Sequence, residues 1–137
     1  MAEQNDFNKQ IIEEFRANDG ETSGVFKGLP LLLLTTTGAR SGDQRTTPLA
    51  YTKDGDRVVI IASMGGAPKS PAWFFNLTAN PKVTVELGKE KFEAAASVAA
   101  DADRDRLYAQ QAALMPQFTE YEAKTTRRIP VVLLERQ

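Results

Sequence analysis

Apolar positions along the chain change their spacing several times, and each change marks an element. Phe7, Ile11 and Phe15 recur every fourth residue with Ile12 beside them, one face of a helix predicted over residues 6–17. Asp6 is its candidate N-cap and Asn18-Asp19-Gly20 its stop. A loop spanning Gly24 to Gly28 and carrying Phe26 follows. Leu31 to Leu34 run without a break into Thr35, Thr36 and Thr37, the composition of a buried strand. Residues 46–52 read as its partner, and Lys53-Asp54-Gly55-Asp56 as a hairpin turn into a second buried strand over residues 57–63. Gly65-Gly66-Ala67-Pro68 breaks the pattern.

Pro71 then opens a short helix through Trp73 and Leu77, closed by Asn80-Pro81. Val83, Val85 and Leu87 alternate with polar residues, as do Phe92, Ala94, Ala96 and Val98, with Gly88-Lys89 as the hairpin between them. Asp101 is placed to cap a long helix carrying Leu107, Tyr108 and Leu114, and Met115-Pro116 to kink or restart it. Residues 129–134 close the pattern as a buried strand. The order is helix, three strands, helix, two strands, helix, strand. Most connections between strands are too short for parallel crossovers, so an antiparallel sheet in an α+β domain is expected, its six strands curling into a barrel. One domain covers residues 1–137, with the first helix within 1–20 and the barrel with its helices over 31–135.

Composition matters chiefly through what is missing. The 137 residues include no histidine and no cysteine. Ser-His-Asp and Cys-His nucleophiles, the usual zinc sites and thiol redox chemistry are thereby excluded. An enzyme with this composition borrows its difficult chemistry from an organic cofactor. A net charge of −1 argues against nucleic acid as a partner. No apolar run approaches the roughly 18 residues of a membrane span. The polar start predicts a cytoplasmic protein, with a peripheral membrane contact left open. Between Asp56 and Glu86 there is no acid, whereas Arg57, Lys69 and Lys82 lie there. Joined by Arg40 and Arg45, these would form a positive face suited to a small polyanion.

Two stretches carry candidate chemistry. Gly38-Ala39-Arg40-Ser41-Gly42, followed by Arg45-Thr46-Thr47-Pro48, places two guanidinium forks beside a glycine turn. It reads as an anion cradle or as an ordinary solvated hairpin. Ala62-Ser63-Met64-Gly65-Gly66-Ala67-Pro68-Lys69 ends a buried strand in small residues that a flat ring could approach, then a cation. Trp73, Phe74 and Phe75 cannot all face one core, because helical neighbours point about 100° apart. Met115, Phe118 and Tyr121 recur at every third position, either as core or as the wall of a pocket, with Tyr121 able to donate a proton.

These stretches together resemble the deazaflavin-dependent nitroreductase and quinone reductase family, known chiefly from mycobacteria and other actinobacteria. The residues that carry the resemblance are 33–42, Arg45 to Leu49, 61–69, Trp73 with Asn76-Leu77, Ala79-Asn80-Pro81 and 126–131. The resemblance implies a flavin-reductase-like split β-barrel that uses coenzyme F-420, an 8-hydroxy-5-deazaflavin with a phosphate and acidic tail. It implies that Arg40, Ser41, Gly42, Arg45 and Lys69 hold the tail. Thr46, Thr47, Pro48, Ala62, Ser63, Met64, Gly65, Gly66, Ala67 and Trp73 complete the cofactor site. Ser63 would fix the ring, while Met115, Phe118 and Tyr121 would face the acceptor, with Tyr121 as one source of the proton and water as the other. The implied reaction is hydride transfer to an unsaturated, quinone-like or nitroaromatic acceptor. FMN in the same barrel, and a non-catalytic deazaflavin carrier, are the alternatives. Oligomeric state stays open.

Overall fold

The fold is that of a computed structural model describing residues 2–21, 30–63 and 66–137, with side chains from Asn8 onward. Among the described residues, four helices surround one sheet: α1 (Ala2–Ala17), α2 (Ala72–Ala79), α3 (Asp101–Leu114) and α4 (Gln117–Lys124). The strands are β1 (Leu31–Thr37), β2 (Gln44–Ala50), β3 (Thr52–Asp54), β4 (Arg57–Ile61), β5 (Lys82–Leu87), β6 (Glu90–Val98) and β7 (Val131–Arg136). They pair in the order β2-β1-β5-β6-β7-β4-β3, every pairing antiparallel.

The sheet therefore has seven strands, not six. The strand expected over residues 46–52 divides at Tyr51, whose N–H donates to the Pro30 carbonyl at 3.2 Å as the last bond of the β1 register. Before Tyr51 the chain pairs with β1, and after it with β4. One continuous segment thus forms both outer strands of the sheet, and its two ends are covalently tied into a split barrel.

Inside the curl lie Leu32, Leu34, Val58, Ile60, Ala62, Val83, Val85, Ala94, Val132 and Leu134, with Trp73 and Leu77 of α2 packed among them. The helices cover the outer face in two places. Val59, Ile61, Val131 and Leu133 lie against Leu107 and Tyr108 of α3, and against Met115 and Phe118. Leu31 and Leu33 lie against Ile11 and Phe15 of α1. Burying a side chain such as Phe15, which is 1% exposed, contributes roughly 1.5–3 kcal/mol.

Helix boundaries depart from expectation in two places. α1 begins at Ala2, because Ala2, Glu3 and Gln4 are good helix formers, so Asp6 lies inside the helix. The Phe7 side chain and the loop around Phe26 lie outside the described residues. The stop behaves as read: Gly20, at φ +96°, donates its N–H to the Phe15 carbonyl at 2.8 Å. Ala100 occupies the N-cap of α3 with no side-chain cap, leaving Asp101 to favour the first turn through its charge. The break at Met115-Pro116 separates α3 from α4 and leaves Leu114 69% exposed, not in the core.

Candidate functional site

The antiparallel order gathers the C-terminal ends of β1, β4 and β6 at one end of the barrel, with the N-terminal ends of β2, β5 and β7. Both candidate stretches are therefore neighbours in space, and α2 crosses between them from β4 to β5.

The glycine-arginine turn is closed by its own backbone. Gly38 N–H donates to the Asp43 carbonyl at 2.7 Å, and Gly42 N–H to the Gly38 carbonyl at 3.0 Å. A Cβ at Gly38 would meet Ser41 Oγ at 2.6 Å, so any larger residue there would have to turn the Ser41 hydroxyl away from the turn. Ser41 Oγ accepts from the Asp43 N–H at 3.1 Å, which leaves its hydroxyl proton available to an anion. Helix α2 braces the turn. Asn76 Oδ1 accepts from the Ala39 N–H at 3.0 Å, while Asn76 Nδ2 donates to Thr36 Oγ1 at 3.2 Å.

Charge at this end is unspent. Among the described residues, the guanidinium groups of Arg40 and Arg45 are exposed and have no carboxylate or carbonyl partner. The other arginines do: Arg16 holds Glu86, Arg57 and Arg106 hold Asp54, and Arg128 holds Asp105. The positive face expected from sequence is correspondingly smaller. Arg57 is neutralised by Asp54 at the opposite end of β4, and Lys82 pairs with Glu93 at 3.0 Å. Arg40, Arg45 and exposed Lys69 are what remains.

A seam opens beside this charge. β2 is the last strand on its side of the sheet. β3 pairs with β4 only as far as Val59, so Ile60 and Ile61 have one strand neighbour, β7, among the described residues. The outer edge of β2 and the upper part of β4 thus have no strand partner among the described residues, and the seam between these two edges has Ala62 and buried Ser63 at the β4 side. Strand alternation divides the residues expected along a ring. Thr47 lies opposite Leu34 on the inner face, whereas Pro48 lies opposite Leu33 on the outer face beside Thr46, whose hydroxyl bonds Thr35 Oγ1 at 2.8 Å. Thr47 and Pro48 therefore do not share one face. Met64 and Gly65 lie outside the described residues.

The loop after β4 is held from outside by Arg127, to which the sequence assigns no role of its own. Arg127 donates from Nε to the Ala67 carbonyl at 2.8 Å and from Nη1 to Ser70 Oγ at 3.1 Å. Its Nη2 reaches the carbonyls of Ala62 at 3.1 Å and Ser63 at 2.9 Å. Only its place in the 126–131 motif hinted at more. Gly66, at φ +85°, presses on α4, where a Cβ would come within 2.8 Å of the Tyr121 carbonyl.

The aromatic candidates separate by burial. Trp73 is 6% exposed within the barrel cluster, and Phe75 is 52% exposed. Phe118 is core, and Tyr121, partly exposed, packs edge-on against it at 5.1 Å. Met115 is buried and lines an apolar cavity of about 490 Å³ with Pro30, Tyr51, Thr52, Lys53, Gln110 and Leu114. Tyr108 is not a proton source. Its buried hydroxyl donates to the Phe118 carbonyl at 2.6 Å, and burial pushes it up to about 12.

Two exposed guanidinium groups without a partner among the described residues, a braced glycine turn and two unpaired strand edges fit a ligand with an acidic tail and a flat ring. No helix among the described residues is long and apolar enough to cross a membrane. A family model described as F420H(2)-dependent quinone reductase matches residues 8–136. A Mycobacterium tuberculosis (H37Rv) protein named F420H(2)-dependent quinone reductase is 40% identical over 129 residues, covering 90% of this chain and 85% of its own. The solved structure of the F420-H2 dependent reductase FDR-A superposes with a TM-score of 0.71 at 37% identity, covering 77% of this chain and 94% of that one. A structure described as a domain-swapped dimer gives a TM-score of 0.74 at 33% identity over 98% of both chains. The chain belongs to the F420H(2)-dependent quinone reductase family, and coenzyme F-420 is its cofactor.

Proposed function

We propose that the protein reduces an apolar quinone-like acceptor, with coenzyme F-420 seated along the seam between β2 and β4. The observation that carries this is the unpaired seam lying beside the unpartnered Arg40 and Arg45. Arg40 and Arg45, with Lys69 and the Ser41 hydroxyl, hold the phosphate and acidic tail. Thr47, Ala62, Ser63, Gly66 and Ala67 border the ring, and Trp73 supports it from below. Bound there, the coenzyme supplies a hydride. The chain binds, orients and keeps out water, since it contains no histidine or cysteine to act as a nucleophile. Tyr121, anchored edge-on by Phe118 and held beside Gly66, donates the proton that completes reduction.

The acceptor's apolar body occupies the cavity lined by Tyr51, Leu114 and Met115. This favours quinones over small polar nitroaromatics, which would leave the cavity unfilled. Loss of reduced-coenzyme absorbance, followed across quinones, unsaturated lactones and nitroaromatics, tests the reading. Quinones with apolar substituents should give the highest kcat/KM. Equal rates for small polar nitroaromatics would overturn the acceptor assignment.

The tail site has its own test. Each charge-assisted hydrogen bond contributes ~1.5–3 kcal/mol. Arg45→Ala should therefore weaken coenzyme binding ~10- to 100-fold, with the larger loss at low salt. Unchanged affinity in both Arg40→Ala and Arg45→Ala would remove the cradle.

A further inference from the structure

We infer that Arg127 is a positioning residue. It shapes the ring side of the coenzyme site by holding Ala62, Ser63, Ala67 and Ser70, without touching the coenzyme. This rests on the placement of the coenzyme ring at the seam.

Just after β4 the N–H and carbonyl of Ala62 both turn toward β7, and the N–H donates to the Pro130 carbonyl at 3.0 Å. There the strand-to-strand ladder stops, because β7 begins only at Val131. Arg127 takes its place. Its Nη2 meets the Ala62 carbonyl at 3.1 Å and the Ser63 carbonyl at 2.9 Å, so a side chain does what another strand residue would otherwise do. The peptide between Ala62 and Ser63 is planar and trans. With its carbonyl held toward Arg127, its N–H, that of Ser63, points the opposite way, toward the seam.

The same guanidinium closes the far side of the loop through Ala67 and Ser70, and Ser63 also accepts from the Gly66 N–H at 2.9 Å. One rigid planar group therefore fixes four acceptors on a single loop. Among the described residues, no carboxylate neutralises it. Its charge adds to the positive potential behind the seam, which favours an electron-rich ring there. Lysine would keep the charge but could not span four acceptors from one plane.

The test compares wild type, Arg127→Lys and Arg127→Ala by hydrogen exchange with and without coenzyme F-420, together with equilibrium coenzyme titration. In Arg127→Lys, which retains the charge and should keep a native circular dichroism spectrum, amides of 62–70 should exchange faster even without coenzyme. Those of β1 and β5 should be unchanged. Coenzyme affinity should fall ~10-fold or more, with KM for the reduced coenzyme rising and kcat at saturation little altered. Free guanidinium ion should partly restore affinity to Arg127→Ala. Wild-type affinity in Arg127→Lys, or unchanged exchange in 62–70, overturns the positioning role. Coenzyme protection of the wild type that avoids both 38–48 and 62–70 instead overturns the seam as the site, and this role with it.

Discussion

Tyr121 and Tyr108 stand on neighbouring helices in opposite settings. The Tyr108 hydroxyl is spent on the Phe118 carbonyl and ties α3 to α4, so it stays protonated far above neutral pH. Tyr121 is partly exposed beside the loop after β4. Tyr121→Phe should slow turnover ~10²-fold or more while leaving coenzyme affinity intact, the size expected for a lost general acid. Rates unchanged across several acceptors would assign the proton to water. A different residue carries an avoidable cost: Gln111 is fully buried, its Oε1 accepts from Thr52 Oγ1 at 3.3 Å, and its Nε2 has no partner among the described residues. An unsatisfied buried donor costs ~1–3 kcal/mol, so Thr52→Val combined with Gln111→Met should raise Tm by a few degrees. A lower Tm for that double variant would show that the pair is worth more than its orphan costs.

At the scale of elements, contacts between loops and helices decide whether the site is assembled. Gly66 is the sharpest case, because φ +85° disfavours any side chain and the Tyr121 backbone occupies the space of a Cβ. Gly66→Ala should displace α4 from the loop, lowering Tm and raising KM for the coenzyme together. A variant with both quantities unchanged would mean that loop and helix move independently. Much of this level was legible in the chain. The apolar run of Leu31 to Leu34, the hairpin at Gly55, the alternation around Val85 and the break at Met115-Pro116 each correspond to an element or its end. These signals work because they are local: period and turn chemistry act within a few residues. Asp101 misled for a related reason. Its composition suits a cap, but the backbone enters α3 one residue earlier, and its charge serves the first turn instead.

Over the whole molecule, ion pairs tie elements distant in sequence, and two of them make stability depend on pH at the acid end. Arg16 of α1 grips Glu86 of β5 through two hydrogen bonds of 2.9 and 2.8 Å, holding that carboxyl below its usual range. Arg106 of α3 and Arg57 lower Asp54, in the β3–β4 hairpin, from 3.8 to about 2. Both carboxyls have depressed values in the folded state. The stability they add is complete above the unfolded values near pH 4, and is lost as pH falls toward 2. Tm should therefore be nearly level from pH 6 to 8 as far as these two groups are concerned, then fall below about pH 4. Asp54→Asn with Glu86→Gln should flatten that acid fall. A wild-type acid profile in the double variant would show that other carboxyls govern it.

The chain by itself determined the helices, the strands, the glycine turn with its arginines and the absence of any nucleophile of the usual kind. Each follows from neighbouring residues or from composition. Tertiary structure alone decided that Tyr51 divides a strand and leaves a seam, that Thr47 and Pro48 part to opposite faces, and that Arg57 and Lys82 are neutralised. It also decided that Arg127 reaches back 60 residues to Ala67. Such contacts depend on register and on how a sheet curls, and the energy that selects them is shared across the packed core, so no short stretch of sequence records it.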